Sequence, residues 1–349
     1  MRARYFILLA FAISAGIIPF VIKICNKFGI YDYTGGRKIH NGNIPRMGGI
    51  GFVFSFLIVS LIFVYWYDIT NLSRLIPLLI AGLLIFIFGI IDDFLTLKAR
   101  FKLIVQVIAV LIVVLNGFEF TRFGPIKLGF MSEIITFLWI LGVINSFNLI
   151  DGIDGLCGGL SFIIIVTYGI LFFTSSLLML GLCFIFAGAI AGFLLYNKPK
   201  AKIFMGDGGS QFLGFMIAVL PLFRTASSFE YNKMPIAFLL TAIPIFDTFA
   251  AIWRRIREHR SIMSGDQAHT HHKLLKLGYS TWGVLIILYS LQIFLSLTCI
   301  ISAKIDSYSK GSIILLCGLV GITLFFIIIH YTYKNMLLML PTSKEHLDI

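Results

Sequence analysis

Residues 155–197 read GLCGGLSFIIIVTYGILFFTSSLLMLGLCFIFAGAIAGFLLYN, 43 positions without one Asp, Glu, Lys or Arg. Wound as helix, the stretch is about 65 Å long at about 1.5 Å per residue, enough to cross a hydrocarbon core about 30 Å thick twice. A turn at Ser175–Ser176 divides it into two spans. Water-soluble folds have no use for such a run, and it decides the fold class: an all-α polytopic integral membrane protein.

Working outward, apolar runs of about one span each recur at 5–22, 47–67, 75–91, 103–118 and 134–150 before it, and at 208–223, 234–253, 277–303 and 311–333 after it, uncharged except for Asp247 in 234–253. Together they give about eleven transmembrane helices, with ten as the lower count, in one multi-span domain covering residues 1–349. The first run has no small-residue cleavage site and leads into a basic loop, so it reads as an anchor. Composition agrees: 59% of the 349 residues are hydrophobic and 13% charged, about half the charge of an ordinary soluble domain. A soluble enzyme, a disordered chain and a secreted disulfide scaffold are excluded. Five scattered cysteines suggest neither a disulfide framework nor a zinc site.

The net charge of +12 needs no nucleic acid to explain it, because loops on the cytoplasmic side of membrane proteins concentrate Lys and Arg. Most of the Lys and Arg fall in the loops after odd-numbered spans, which predicts the N-terminus outside and the C-terminus in the cytoplasm. Residues 117–131 hold Gly124–Pro125 between alternating apolar positions, the pattern of a short β-hairpin on the outside.

The unusual polar residues gather on one side. Loop 25–46 holds Arg37, Lys38, His40 and Arg46; loop 92–102 holds Asp92, Asp93, Lys98 and Lys102. Loop 148–157 holds Asn148, Asp151 and Asp154, loop 197–210 holds Lys202 and Met-Gly-Asp207-Gly-Gly-Ser, and loop 254–279 holds Asp266, His269, His271 and His272. All five follow odd-numbered spans, so they face one compartment and predict one composite site. Acids beside a membrane are expensive and mark function, and Asp92–Asp93 at a helix C-terminus also oppose the macrodipole. Asn148, Asp151 and Asp154, three apart, share one face if the helix continues through them. The glycines after the two acids leave room for a ligand at the backbone. The Gly-Asp-Gly-Gly run reads either as a flexible loop or as a cradle of N–H groups for phosphate. Asp247, inside the ninth span, needs a partner and reads as structural support for the site.

Carboxylates without thiolates suit a hard cation, and Mg²⁺ takes one or two carboxylates plus substrate phosphates. Together with the basic side chains, these are the parts of phosphoryl transfer. From the residues alone, the chain is a Mg²⁺-dependent phosphotransferase acting on a lipid. A secondary transporter is the remote alternative, disfavoured because only Asp247 lies within a span and no internal repeat is visible.

The motifs Arg37-Lys-Ile-His40, Ile44-Pro-Arg-Met-Gly-Gly49, Asp92-Asp93, Asn148-Leu-Ile-Asp-Gly-Ile-Asp-Gly155, Met205-Gly-Asp-Gly-Gly-Ser210 and His269-Thr-His-His272 resemble the polyprenyl-phosphate N-acetylhexosamine-1-phosphate transferases over about residues 30–280. The resemblance implies that a polyprenyl phosphate attacks a UDP-activated amino sugar, releasing UMP, at the cytoplasmic face of the cell membrane. It implies Asp92, Asp93 and Asp207 as catalytic residues, Asp207 and Asp93 at Mg²⁺ (with Mn²⁺ as a substitute), and Asp92 orienting the lipid phosphate. It implies substrate contacts from Asn148, Asp151, Asp154, Lys98, Lys102, His269, His271, His272, Arg37, His40 and Arg46. His-Thr-His-His, in place of three consecutive histidines after a proline, is similar to the branch that transfers N-acetylglucosamine-1-phosphate; phospho-MurNAc-pentapeptide transfer is the alternative. The family is often dimeric, so a second copy of the chain is a candidate partner.

Overall fold

The computed structural model describes residues 3–32, 43–67, 72–95, 97–223, 229–261, 268–305 and 307–339. Arg37, Lys38, His40 and Asp266 lie outside the described residues. The chain forms a helical bundle: α1 (Ala3–Phe28), α2 (Gly49–Tyr67), α3 (Leu72–Leu95), α4 (Ala99–Leu115), α5 (Met131–Ile150), α6 (Leu156–Phe172), α7 (Leu177–Asn197), α8 (Gly206–Val219), α9 (Phe229–Leu240), α10 (Ala242–Arg257), α11 (Thr270–Lys276), α12 (Thr281–Lys304) and α13 (Tyr308–Met339). The expected turn between α6 and α7 is present, and the Ser176 hydroxyl caps α7 by accepting from Met179 N. The expected hairpin is present too. In it β3 (Arg122–Phe123) pairs antiparallel with β4 (Ile126–Lys127) around Gly124, whose φ is +60°. A second pair, β1 (Tyr31–Asp32) and β2 (Ile44–Pro45), closes the base of the first loop.

The expected count of about eleven spans, with ten as the lower count, is not reached by helix length and hydropathy alone. Among the described residues, seven helices are long and apolar enough to cross a membrane, or eight if α9 and α10 count as one bent span. Of the rest, α4 and α6 have 17 residues and α8 has 14, so α8 is only about 21 Å long. The ninth run is broken at Thr241, not at Asp247, with a 69° bend between its halves. Pro244 is the cause. It has no N–H to donate to the carbonyl four residues back, and Gln292 Nε2 from α12 donates to that Leu240 oxygen at 3.0 Å instead. The same repair occurs in α1, where Pro19 frees the Ala15 carbonyl and the Tyr196 hydroxyl donates to it at 3.1 Å. Inside a bilayer such orphaned groups have no water to turn to.

At the centre stands α8, whose residues from Gly208 to Val219 are all buried and which packs chiefly against α3 and α5. Small residues allow the approach: a Cβ on Gly89 of α3 would lie 2.3 Å from Gly208 Cα. The deepest helix of the bundle therefore carries the Gly-Asp-Gly-Gly-Ser motif at its first turn.

Candidate functional site

That placement makes the motif the first turn of a buried helix and not a flexible loop. Gly206, with φ +77°, turns the chain into α8, and Gly208 and Gly209 pack against the backbones of α3 and α2. The first N–H groups of α8 are already used. Asp93 Oδ1 accepts from Asp207 N at 3.1 Å, and Gly208 N points to the same carboxylate. Asp93, in the last turn of α3, thus caps α8 from a neighbouring helix, where the positive end of the α8 dipole offsets the unfavourable position of the acid in α3. Arg46 Nε lies 3.9 Å from Asp93 Oδ1 on the other side.

Above this pair, the Lys102 ammonium bridges Asp92 Oδ2 and Asp207 Oδ2, the latter at 2.7 Å. Lys102 belongs to the first turns of α4 rather than to a loop. The second oxygen of Asp92 accepts from Leu97 N at 2.8 Å, which fixes the α3–α4 turn. The side chains of Asp92 and Asp93 are 4% exposed, whereas Asp207 is 35% exposed. Asp207 is therefore the carboxylate a ligand can reach. Asn148, in the last turn of α5, donates to Ser210 Oγ at 2.9 Å and also lies against Asp207.

The three-residue spacing of Asn148, Asp151 and Asp154 does not place them on one helical face, because α5 ends at Ile150. Asp151 begins the following turn, half-buried. Asp154 accepts from Lys200 N and Ala201 N, both at 3.0 Å, and so ties the start of α6 to the loop after α7. Asn197 and Tyr289 complete that tie at Gly155. The glycine after Asp151 does admit something to the backbone, and it is the protein's own His271: a Cβ on Gly152 would lie 2.2 Å from its Nε2.

The histidines divide in their roles. Asp247 accepts from His269 Nδ1 at 2.7 Å, from Thr270 N at 2.7 Å and from the Thr270 hydroxyl at 2.6 Å. The expected partner of Asp247 is thus the start of α11, and its pull on Nδ1 leaves Nε2 as the other polar atom of His269. The His271 ring stacks parallel to His269. It is fully buried, and neither of its ring nitrogens has a hydrogen-bond partner. Burial pushes its pKa down to about 3, so it packs as a neutral ring. His272 is half-buried beside it. Lys98 is exposed at the head of α4; the lysine that bridges the carboxylates is Lys102.

The structure therefore brings Arg46, Asp92, Asp93, Lys102, Asn148 and Asp207 into one cluster. It brings His269, His271 and His272 beside the turn that follows α5, the helix carrying Asn148. Ser210, Thr270 and Gly206 were not singled out as site residues from the sequence; their positions inside the motifs were the available signal. For a divalent cation, no three His, Cys, Asp or Glu side chains converge among the described residues. Asp92 and Asp207 converge as a pair on a cation, the Lys102 ammonium. Two carboxylates completed by substrate phosphates fit Mg²⁺ and do not make an all-protein cage.

Comparison with known proteins accounts for this arrangement. Residues 75–224, from α3 through the end of α8, match the glycosyl transferase family 4 model. The chain is 34% identical over 292 residues to the probable undecaprenyl-phosphate N-acetylglucosaminyl 1-phosphate transferase of Bacillus subtilis, covering 82% of this chain and 80% of that one. It is 32% identical to the undecaprenyl-phosphate alpha-N-acetylglucosaminyl 1-phosphate transferases of Yersinia pestis and Escherichia coli K12. These cover 78% and 75% of this chain and 76% and 73% of theirs. The chain belongs to glycosyl transferase family 4, as a multi-helix membrane transferase. Within that family it falls in the branch of the undecaprenyl-phosphate N-acetylglucosaminyl 1-phosphate transferases, the resemblance its motifs carry.

Proposed function

We propose that this protein transfers N-acetylglucosamine-1-phosphate from UDP-N-acetylglucosamine to undecaprenyl phosphate at the cytoplasmic face of the cell membrane. A phosphate oxygen of the lipid forms a new bond to the sugar-bearing phosphorus of the nucleotide sugar. The bond from that phosphorus to the bridging oxygen breaks, and UMP leaves with the electron pair. The observation that carries this reading is the Lys102 ammonium shared by Asp92 and the accessible Asp207, at the end of an apolar helical bundle.

Phosphoryl transfer needs positioning and charge neutralisation more than covalent chemistry. A phosphate monoester with a second pKa near about 6 is mostly ionised at neutral pH, so no strong base is required. Asp92 then serves to orient the lipid phosphate through Lys102, which neutralises charge on the reacting phosphates. Asp207, supported by Asp92, would hold Mg²⁺, which when bound neutralises the diphosphate. Asp93 supports them from beneath by fixing the start of α8. Arg46, His269 and His272 would meet the remaining diphosphate charge, and Asn148 and Asp151 would contact the nucleotide. His271 acts as the wedge between α11 and Gly152.

The test is UMP release by the purified protein in detergent, with undecaprenyl phosphate and a panel of UDP-sugars including UDP-MurNAc-pentapeptide, with and without Mg²⁺. The proposal expects turnover with UDP-N-acetylglucosamine that EDTA abolishes and Mg²⁺ or Mn²⁺ restores. Asp207→Asn should insert normally and lose activity. Turnover with the muramoyl substrate alone, or none with any pair, would sink it.

A further inference from the structure

Directly below the cluster lies a second set of polar side chains that the transfer chemistry does not use. Gln106 on α4 donates from Nε2 to Gln211 Oε1 on α8 at 2.9 Å, and Asn145 on α5 donates from Nδ2 to Gln106 Oε1 at 3.0 Å. Asn145 also donates to its own helix at Leu141 O. Gln106 and Gln211 are each 3% exposed. Their register repeats that of the cluster above. Gln106 follows Lys102 by four residues, Gln211 follows Asp207 by four, and Asn145 precedes Asn148 by three. On helices these spacings are one turn on the same face. Both α4 and α8 begin at the cluster, and α5 ends there, so these amides lie about 4.5–6 Å further into the bundle than their polar partners.

Hydrogen bonds between helices in a bilayer add little net stability, because separated helices find other partners. They are directional, however, and a bonded amide fixes the rotation of its helix about its own axis. We propose that Gln106, Gln211 and Asn145 are positioning residues. They lock the rotation of α4, α5 and α8 relative to one another, and so hold Lys102, Asp207 and Asn148 in the geometry that transfer requires. The activity arm of this inference rests on the transferase reading; the geometric arm does not.

The test uses Gln106→Met, which keeps the shape and removes both bonds, and Gln106→Glu, whose carboxyl stays neutral in apolar surroundings and both donates to Gln211 and accepts from Asn145. The first readout is acetylation of Lys102 relative to Lys98, followed by mass spectrometry in the full-length detergent-solubilised protein. Lys98 is exposed on the same helix and serves as the internal standard. In the wild type the bridged Lys102 reacts slowly. Gln106→Met should raise the Lys102-to-Lys98 ratio several-fold and lower kcat for UMP release by about tenfold, with both KM values little changed. Gln106→Glu should restore both. Should Gln106→Met not survive solubilisation, Gln211→Met reads the same bond from α8. An unchanged labelling ratio overturns the inference, as does a Glu variant no better than Met. If the wild type released no UMP, the transferase reading would fail by itself and the labelling ratio would still decide the positioning.

Discussion

Gly89 offers the sharpest test of how the site is held. Its Cα faces the first turn of α8, and an added Cβ would lie 2.3 Å from Gly208 Cα, 2.6 Å from Gly208 N and 3.1 Å from the Asp207 carbonyl carbon. All three atoms are backbone, so no rotamer change relieves the overlap. Carbon contacts settle near about 3.5 Å, and Gly89→Ala must therefore move α3 and α8 apart by about 1.2 Å at the site. The Asp93 bond to Asp207 N, now 3.1 Å, would open beyond the range of a hydrogen bond of about 3.2 Å. The carboxylate pair bridged by Lys102 spans the same two helices and would be pulled apart with it. A misplacement of about 1 Å is worth about a hundredfold in rate. Overpacking costs about 1–3 kcal/mol, and the better helix propensity of alanine returns about 1 kcal/mol of that. Gly89→Ala should therefore melt near the wild type while kcat for UMP release falls about a hundredfold. Gly142→Ala on α5, where nothing lies within 4 Å of the new Cβ, is the control for inserting a methyl group into a spanning helix. A Gly89→Ala protein with wild-type kcat would refute the claim that the glycine contact sets the geometry of the cluster.

Other consequences follow from the same contacts. Asp247→Asn keeps the shape but replaces one acceptor oxygen by a donor facing His269 or Thr270, and should destabilise the α10–α11 connection by about 2 kcal/mol; unchanged melting and unchanged proteolysis of that connection would contradict it. His271 is neutral in the fold, with a pKa of about 3 against 6.5 when unfolded. Its contribution is intact above pH 6.5 and is lost as pH falls from there toward 3, by about 2 kcal/mol at pH 5. The melting temperature of His271→Gln should accordingly fall less than that of the wild type between pH 7.5 and 5, and equal falls would rule this out. Gln292→Leu strands the Leu240 carbonyl freed by Pro244 and should cost about 1–3 kcal/mol. In the Pro244→Ala background the carbonyl regains a helical donor, and the same substitution should cost much less in a melting experiment.

The sequence exposed the class of the fold because burial in lipid leaves an uninterrupted apolar record, as at residues 155–197. It exposed most of the site for the complementary reason: Asp92, Asp93, Lys102 and Asp207 stand where charge is otherwise scarce. Three features were harder to read. The break at Thr241 depends on Pro244 and on a glutamine 52 positions away, and local hydropathy is blind to both. The glycines of the Gly-Asp-Gly-Gly motif resembled a loop because composition alone does not separate a chain that bends freely from one packed against two other helices. The spacing of Asn148, Asp151 and Asp154 suggested one face because periodicity carries no mark of where α5 stops. The three bonded amides were visible as isolated polar letters in apolar spans. Their common depth became apparent only once α4, α5 and α8 were seen to meet.

The enclosure of α8 also bears on how the enzyme experiences its solvent. Bilayers differ in thickness, and a spanning helix answers by tilting or by drawing the lipid toward it. Those adjustments act through side chains that touch lipid, such as those of α13 and α1, where only 17% and 22% of the apolar window is buried. The twelve residues from Gly208 to Val219 are all covered by protein, so hydrophobic mismatch acts on the outer helices and reaches Asp207 only through them. The first turn of α8, which carries Asp207, is thereby shielded from the thickness of the surrounding bilayer.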